Sequence, residues 1–173
     1  MIQINDFSKR YRHASVELNE LALPEKCLLN GVNGCGKSTL FKACAGLVDY
    51  QGRIAKPVHV FYMPVEFPLP QKTLGAFIPF LKGDSRALFH DFFQVDQYAL
   101  TVSECSTGMR QKLRLIYALS WPADHYLLDE PLHGLDVFSA KWSMRVLRAI
   151  KTPVSVITHT PAVYPGWPVV NFS

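Results

Sequence analysis

The nine residues Gly31-Val32-Asn33-Gly34-Cys35-Gly36-Lys37-Ser38-Thr39 fit Gly-x4-Gly-Lys-[Ser/Thr], a spacing suited to holding a triphosphate. Glycines at these positions let main-chain N–H groups turn inward on phosphate oxygens. Lys37 would place a point charge on the β- and γ-phosphates, and Ser38 would offer its hydroxyl to Mg²⁺. Asn33, Gly34, Cys35, Gly36, Lys37, Ser38 and Thr39 are therefore the candidate nucleotide-binding residues of this stretch. A Gly-rich turn with a solvated lysine is the plainer reading. With glycine near ~7% of an average sequence, a chance match in a chain of this length is on the order of one per cent.

A second chemical group lies in Tyr126-Leu127-Leu128-Asp129-Glu130-Pro131, where apolar residues run into two acids, as at the end of a buried strand. Asp129 would complete the metal site begun by Ser38. Glu130 is then free to orient and deprotonate an attacking water. Two solvated acids at a strand end would be the better reading of this stretch alone. It loses to the catalytic one once a phosphate loop precedes it.

These groups need an α/β scaffold. Lys26–Asn30 reads as a strand entering the loop, and residues 39–45 read as a helix stopped by Gly46, which sets the loop at a helix N-terminus whose dipole favours anions. Further strands are expected at Val58–Tyr62, Tyr126–Asp129 and Val154–Thr158, with another possible at Val169–Phe172. Asp136–Ile150 reads as a helix burying Val137, Ala140, Met144, Leu147 and Ile150. From Thr73 to Leu100 a helical insertion is expected, its aromatic residues chiefly core, after an irregular loop marked by Pro64, Pro68 and Pro70. The alternation of strands and helices predicts a mainly parallel sheet.

The whole chain bounds the answer. Its 173 residues, 49% hydrophobic and 18% charged, suit one folded unit with a real core. No run of about 18 apolar residues is available to span a bilayer. The first residues show no secretory leader, so a cytosolic location is expected. A net charge of +4, with the basic residues scattered, does not call for nucleic acid. Cys27, Cys35, Cys44 and Cys105 show neither C-x-x-C nor zinc spacing and read as reduced thiols.

Between these two groups lies Cys105-Ser106-Thr107-Gly108-Met109-Arg110-Gln111, and here the chain resembles the ATP-binding cassette proteins, whose signature is Leu-Ser-Gly-Gly-Gln. Pro131-Leu132-His133-Gly134-Leu135-Asp136 resembles their D-loop, and Ile157-Thr158-His159-Thr160 their switch-histidine segment. Tyr11 resembles their adenine-stacking aromatic, with Phe7 and His13 as alternatives. The resemblance runs from about Ser8 to Thr160. It implies a RecA-like P-loop NTPase core with a small helical subdomain at about 73–115 and a reduced N-terminal β-subdomain, the whole chain forming one ATPase domain.

The same resemblance implies ATP hydrolysis with Mg²⁺ at the interface of two cassettes. Ser106 and the backbone of Gly108, at the start of a helix running through Leu119, would contact the γ-phosphate held by the second copy. Lys37, Glu130 and His159 would be catalytic, and Ser38 and Asp129 would hold the metal. Arg110, Lys112 and Arg114 read as a solvated basic face. The implied partners are a second cassette, forming a homodimer, and separate transmembrane permease subunits on the inner face of the cell membrane. The implied work is transport. The rival readings are a soluble cassette ATPase of translation or DNA repair, and a regulatory nucleotide-binding module that hardly turns over.

The sequence also departs from that family. Cys105, Thr107 and Met109 replace three signature residues, and the resulting Ser-x-Gly-Met-Arg-Gln pattern resembles cassettes of exporters. Val65 stands where the family has a glutamine near Mg²⁺ and water, a task that valine has no polar atom to perform. Glu66 and Gln71 are the nearest possible substitutes. Cys35 and Cys105 would both lie near nucleotide, so alkylation is expected to block hydrolysis.

Overall fold

A computed structural model describes residues 1–172. The chain divides into two compact units, the first comprising Met1–Val65, Ala123–Glu130 and the segment from Ile150 onward.

In the first unit, strands β3 (Lys26–Asn30), β5 (Val60–Met63), β6 (His125–Asp129), β7 (Val154–Ile157) and β8 (Val169–Asn171) form one sheet in the order β5-β6-β7-β3-β8. Every pairing in it is parallel. β6 and β7 are buried along their whole length, as expected of strands covered on both faces. β1 (Ile2–Arg10), β2 (Ser15–Leu23) and β4 (Gln51–Ala55) form a separate antiparallel sheet in the order β2-β1-β4. The alternating burial of Val16, Leu18, Leu21 and Leu23 in β2 is that of a sheet with one wet face.

Helix α1 (Lys37–Cys44) joins the two sheets. Its Leu40, Phe41, Ala43 and Cys44 share one hydrophobic core with Ile2, Ile4 and Phe7 of β1 and with Leu29, Leu127 and Ile157 of the parallel sheet. Gly46, at φ 74°, ends the helix as expected.

The second unit, Glu66–Pro122 with Pro131–Ala149, is helical. It contains α2 (Asp84–Phe92), α3 (Thr107–Leu119), α4 (Val137–Ala149) and two 3₁₀ segments, Leu74–Phe80 and Val95–Ala99. Phe89 contacts Phe93 and Tyr98 with ring centroids 4.8 and 5.5 Å apart, and Phe77 meets Tyr117 edge-on. The aromatic residues are thus mostly core, although Phe80 is exposed.

Two expectations are corrected. The buried face of α4 is Ser139, Trp142, Ser143, Met144, Val146 and Leu147, whereas Val137 is exposed. Ser139 takes an inward position with its hydroxyl satisfied locally, donating to Asp136 Oδ2 at 2.6 Å. The expected strand at Val58 begins instead at Val60, with Val58 exposed after Pro57.

Candidate functional site

Parallel pairing brings the carboxyl ends of β3, β5, β6 and β7 to one edge of the sheet, where open α/β folds bind ligands. The residues singled out from the sequence leave from that edge. β3 leads into the glycine loop, β6 ends at Asp129, and β7 ends just before Thr158 and His159.

The loop geometry explains its glycines. Gly36, the residue preceding the first turn of α1, has φ 113°, and a Cβ there would fall 2.4 Å from Val16 Cγ1. Gly34 has φ 77° with open space around it, so its requirement is conformational alone. The first N–H groups of α1 have no intrahelical acceptor by construction and are available to anions. Buried Lys37 folds its ammonium into the loop, donating to the carbonyls of Gly31 and Val32 at 2.7 and 2.8 Å. It also stands 3.9 Å from Cys35 Sγ.

Ser38 Oγ donates to Asp129 Oδ2 at 2.6 Å, joining the loop to the end of β6 across 91 positions of sequence. The same oxygen accepts from the hydroxyl of Tyr62 at 3.1 Å. Tyr62 was not among the residues expected from the sequence, where it reads as an apolar strand residue. Burial, and after it the charge of Asp129, pushes its phenol well up, so it remains a donor. Ser38 and Asp129 fit Mg²⁺, which takes hard oxygens and commonly only one or two from protein. Among the described residues, no group of three or more His, Cys, Asp and Glu gathers into a metal cage.

Glu130 adopts φ 48°, a left-handed conformation rare for a residue with a side chain. The turn sends its carboxylate toward the end of β7. There Oε1 accepts the backbone N–H of His159 at 2.7 Å and Oε2 accepts the hydroxyl of Thr158 at 3.4 Å. His159 Nε2 lies 3.6 Å from Oε1, on an imidazole that is largely exposed. Burial raises the Glu130 carboxyl above its ordinary range, against the lowering effect of the His159 N–H. A half-buried carboxylate of raised pKa is suited to taking a proton from water.

Tyr11 follows β1, 43% exposed, and its hydroxyl stands 3.3 Å from Thr39 Oγ1 in the first turn of α1. Lys9 Nζ lies 5.6 Å from its ring centre. Phe7 is buried against Tyr50 and is removed as an alternative stacking residue. His13 is exposed. Val65, after β5, is half-buried, and Glu66 and Gln71 are exposed.

In the helical unit, Ser106 caps α3, its Oγ accepting the N–H of Met109 at 3.1 Å while the side chain stays exposed. Asp136 caps α4 by accepting from the N–H of Ser139 at 2.9 Å. A Cβ on Gly108 would come within 3.5 Å of Asp136 Oδ2, and one on Gly134 within 3.5 Å of the Thr107 methyl. Thr107–Gly108 and Gly134–Asp136 are therefore packed together.

The basic face expected on α3 is not solvated. Lys112 is buried, its Nζ 3.4 Å from the Phe92 ring centre and 5.8 Å from that of Trp142. Arg110 donates to the carbonyl of Cys105 at 2.6 Å, and Arg114 to that of Phe67 at 3.0 Å. Aromatic faces and carbonyls take the place of water for these cations. Cys105 is also buried, 3% exposed, with its thiol donating to the carbonyl of Thr101, and burial raises its pKa. It is therefore unsuited to the reactive role expected of it.

No family model matches the chain. Among curated proteins, it is 32% identical over 148 residues to the tylosin resistance ATP-binding protein TlrC of Streptomyces fradiae, covering 80% of this chain and 27% of that protein. It is 31% identical over 175 residues to the putative ABC transporter ATP-binding protein AlbC of Bacillus subtilis, covering 80% of this chain and 72% of that one. The chain thus spans about a quarter of the length of the first relative and most of the second. Its fold matches the ATP-binding cassette MJ0796, solved as a dimer in a post-hydrolysis state with ADP and Pi, at TM-score 0.81 and 16% identity, covering 100% of this chain and 94% of that one.

Proposed function

Because the chain belongs to the ATP-binding cassette family, we propose that it is the ATP-hydrolysing subunit of a transporter, driving separate transmembrane subunits from the cytoplasmic face of the membrane. The observation that carries this reading is the 2.6 Å bond from Ser38 Oγ to Asp129 Oδ2, which unites a phosphate loop and an acid pair on one sheet edge. Among the described residues, no helix is long and apolar enough to cross a membrane.

In this reading the chain works as one cassette, and the loop N–H groups from Asn33 to Thr39 cradle the phosphates of ATP. Lys37 exchanges its two carbonyl partners for the β- and γ-phosphate oxygens. Ser38 and Asp129 would hold Mg²⁺, which when bound supplies charge neutralisation between the phosphates. Tyr11 stacks on adenine. Glu130 aligns a water with the γ-phosphorus and takes its proton as the new O–P bond forms and the bond to the β-phosphate oxygen breaks, while His159 steadies the γ-phosphate.

Two copies close head to tail around two ATP molecules, each lending Ser106 and the Gly108 N–H to the γ-phosphate held by the other. Closure and reopening move the permease between access states. The Ser-x-Gly-Met-Arg-Gln signature favours export as the direction.

Phosphate release from Mg·ATP by the purified chain tests the reading. ATP-dependent turnover, abolished in Lys37→Ala, is expected. A wild-type chain that binds no nucleotide would overturn it.

A further inference from the structure

Asp129 Oδ2 is held from two sides. Ser38 Oγ reaches it at 2.6 Å from the first turn of α1, and the Tyr62 hydroxyl reaches it at 3.1 Å from the neighbouring strand β5. Register explains the reach. Tyr62 pairs with Leu127, two positions before Asp129. Two strand residues advance about 6.6 Å, close to the reach of a tyrosine side chain from Cα to its oxygen. A shorter side chain at this position would stop beneath the carboxylate.

The ring is itself anchored. Tyr62 is buried and meets Phe41 of α1 edge-on, with centroids 6.4 Å apart at 80°. Phe41 follows Ser38 by three residues on the same helix, so one tyrosine braces both the helix that carries Ser38 and the carboxylate that Ser38 touches. It is also the hydroxyl that β5 brings to this edge, since Val60, Phe61 and Met63 carry none and Val65 beyond them offers only methyl groups.

We propose that Tyr62 is a positioning residue of the metal–nucleotide site: its hydroxyl holds the Asp129 carboxylate in the orientation that Ser38 and Asp129 need to share Mg²⁺. The role rests on the cassette reading given above. Its energetic basis is that of hydrogen-bonded carboxylate ligands generally, whose outer partners commonly govern metal affinity by about 10–100-fold. Tyr62 acts through Asp129, the carboxylate that its hydroxyl reaches.

Tyr62→Phe removes the donor and keeps the ring on Phe41. With the full chain and a non-hydrolysable ATP analogue, Mn²⁺ binding is read from loss of the free-ion signal in electron paramagnetic resonance. The expected result is Mn²⁺ affinity reduced about tenfold in Tyr62→Phe, with affinity for the metal-free analogue unchanged. In an Asp129→Asn background the Tyr62→Phe substitution should then have little further effect on Mn²⁺, because the coupling runs through the carboxylate. Wild-type Mn²⁺ affinity in Tyr62→Phe, or an undiminished loss in the Asp129→Asn background, overturns the role. A wild-type chain that binds the analogue but takes up no Mn²⁺ with it overturns the shared metal site and the role together. A wild-type chain that fails to bind even the metal-free analogue overturns the cassette reading itself.

Discussion

The backbone N–H of His159 donates to Glu130 Oε1 at 2.7 Å, so the acid after β6 is held from the end of β7 by a main-chain bond that side-chain substitution leaves in place. The strained φ of 48° at Glu130 is what turns the carboxylate toward that donor. Orientation of the acid and the chemistry of the imidazole are therefore separable.

That separation makes His159→Ala informative. The variant keeps the N–H clamp on Glu130 and loses only an exposed ring whose Nε2 lies 3.6 Å from the carboxylate. ATP binding should be retained and hydrolysis reduced by about 10²-fold, the scale for loss of one preorganised transition-state donor. A phosphate-release assay beside a nucleotide-binding titration checks it, and unimpaired turnover would remove His159 from the mechanism.

Glu130 should impose a pH limb on hydrolysis. It works as a base only when ionised, so the rate is fully expressed above its pKa and falls about tenfold per pH unit below it. Because burial raises that pKa, the limb should lie above the ordinary carboxylate range. In Glu130→Gln the turnover should be lost while ATP still binds, trapping a dimer visible by size exclusion. A variant that stays monomeric with saturating ATP would argue for pairing with a different subunit.

How much was legible in the sequence depends on the range of the interaction. The phosphate loop and the strand ending in Asp129 are local chemistry, in which residue type and spacing dictate the backbone. The strands of the antiparallel sheet were not individually legible, because β1 pairs on both edges with segments of mixed polarity. Lys112 reads as surface by type, yet two aromatic rings from other helices accept its charge. Tyr62 and Asp129 meet across 67 positions through strand pairing, which no local pattern announces.

Thiol labelling should find one reactive site among the described residues. Burial pushes Cys27 up to about 11 and Cys44 up to about 12, and Cys105 is buried and bonded to Thr101. Cys35 is partly exposed in the phosphate loop beside the Lys37 ammonium. N-ethylmaleimide should therefore modify Cys35 and block hydrolysis, ATP should slow the modification, and Cys35→Ala should be insensitive. Mass mapping that places the adduct mainly on Cys105 would contradict the burial.

His125 predicts an acid limb of stability. It is fully buried at the start of β6, its Nε2 2.8 Å from Ser155 Oγ, with Nδ1 unpartnered, and burial pushes its pKa down to about 4. The unfolded chain takes up this proton near pH 6.5 while the folded chain resists it. Stability is thus fully present above about pH 6.5 and falls as the pH drops toward 4, by up to about 3 kcal/mol. In His125→Gln, urea unfolding between pH 7 and 4 should lose most of that dependence. An unchanged slope would place the acid sensitivity elsewhere.

Val65→Gln tests whether the missing amide limits turnover. The valine leaves the end of β5 with no group able to order water or a metal's hydration shell, and Tyr62, the hydroxyl that β5 does supply, is already committed to Asp129. A glutamine at this half-buried position would add a donor and an acceptor to that edge. Turnover at saturating Mg·ATP should rise by at most about tenfold, a barrier change of about 1.4 kcal/mol, and the Mg²⁺ concentration for half-maximal rate should fall. Thermal unfolding of the variant, measured beside it, separates a catalytic gain from a change in stability. An unchanged rate in a stably folded variant would mean that Val65 is no handicap and that hydrolysis here proceeds through Glu130 and His159 without a polar group from this loop.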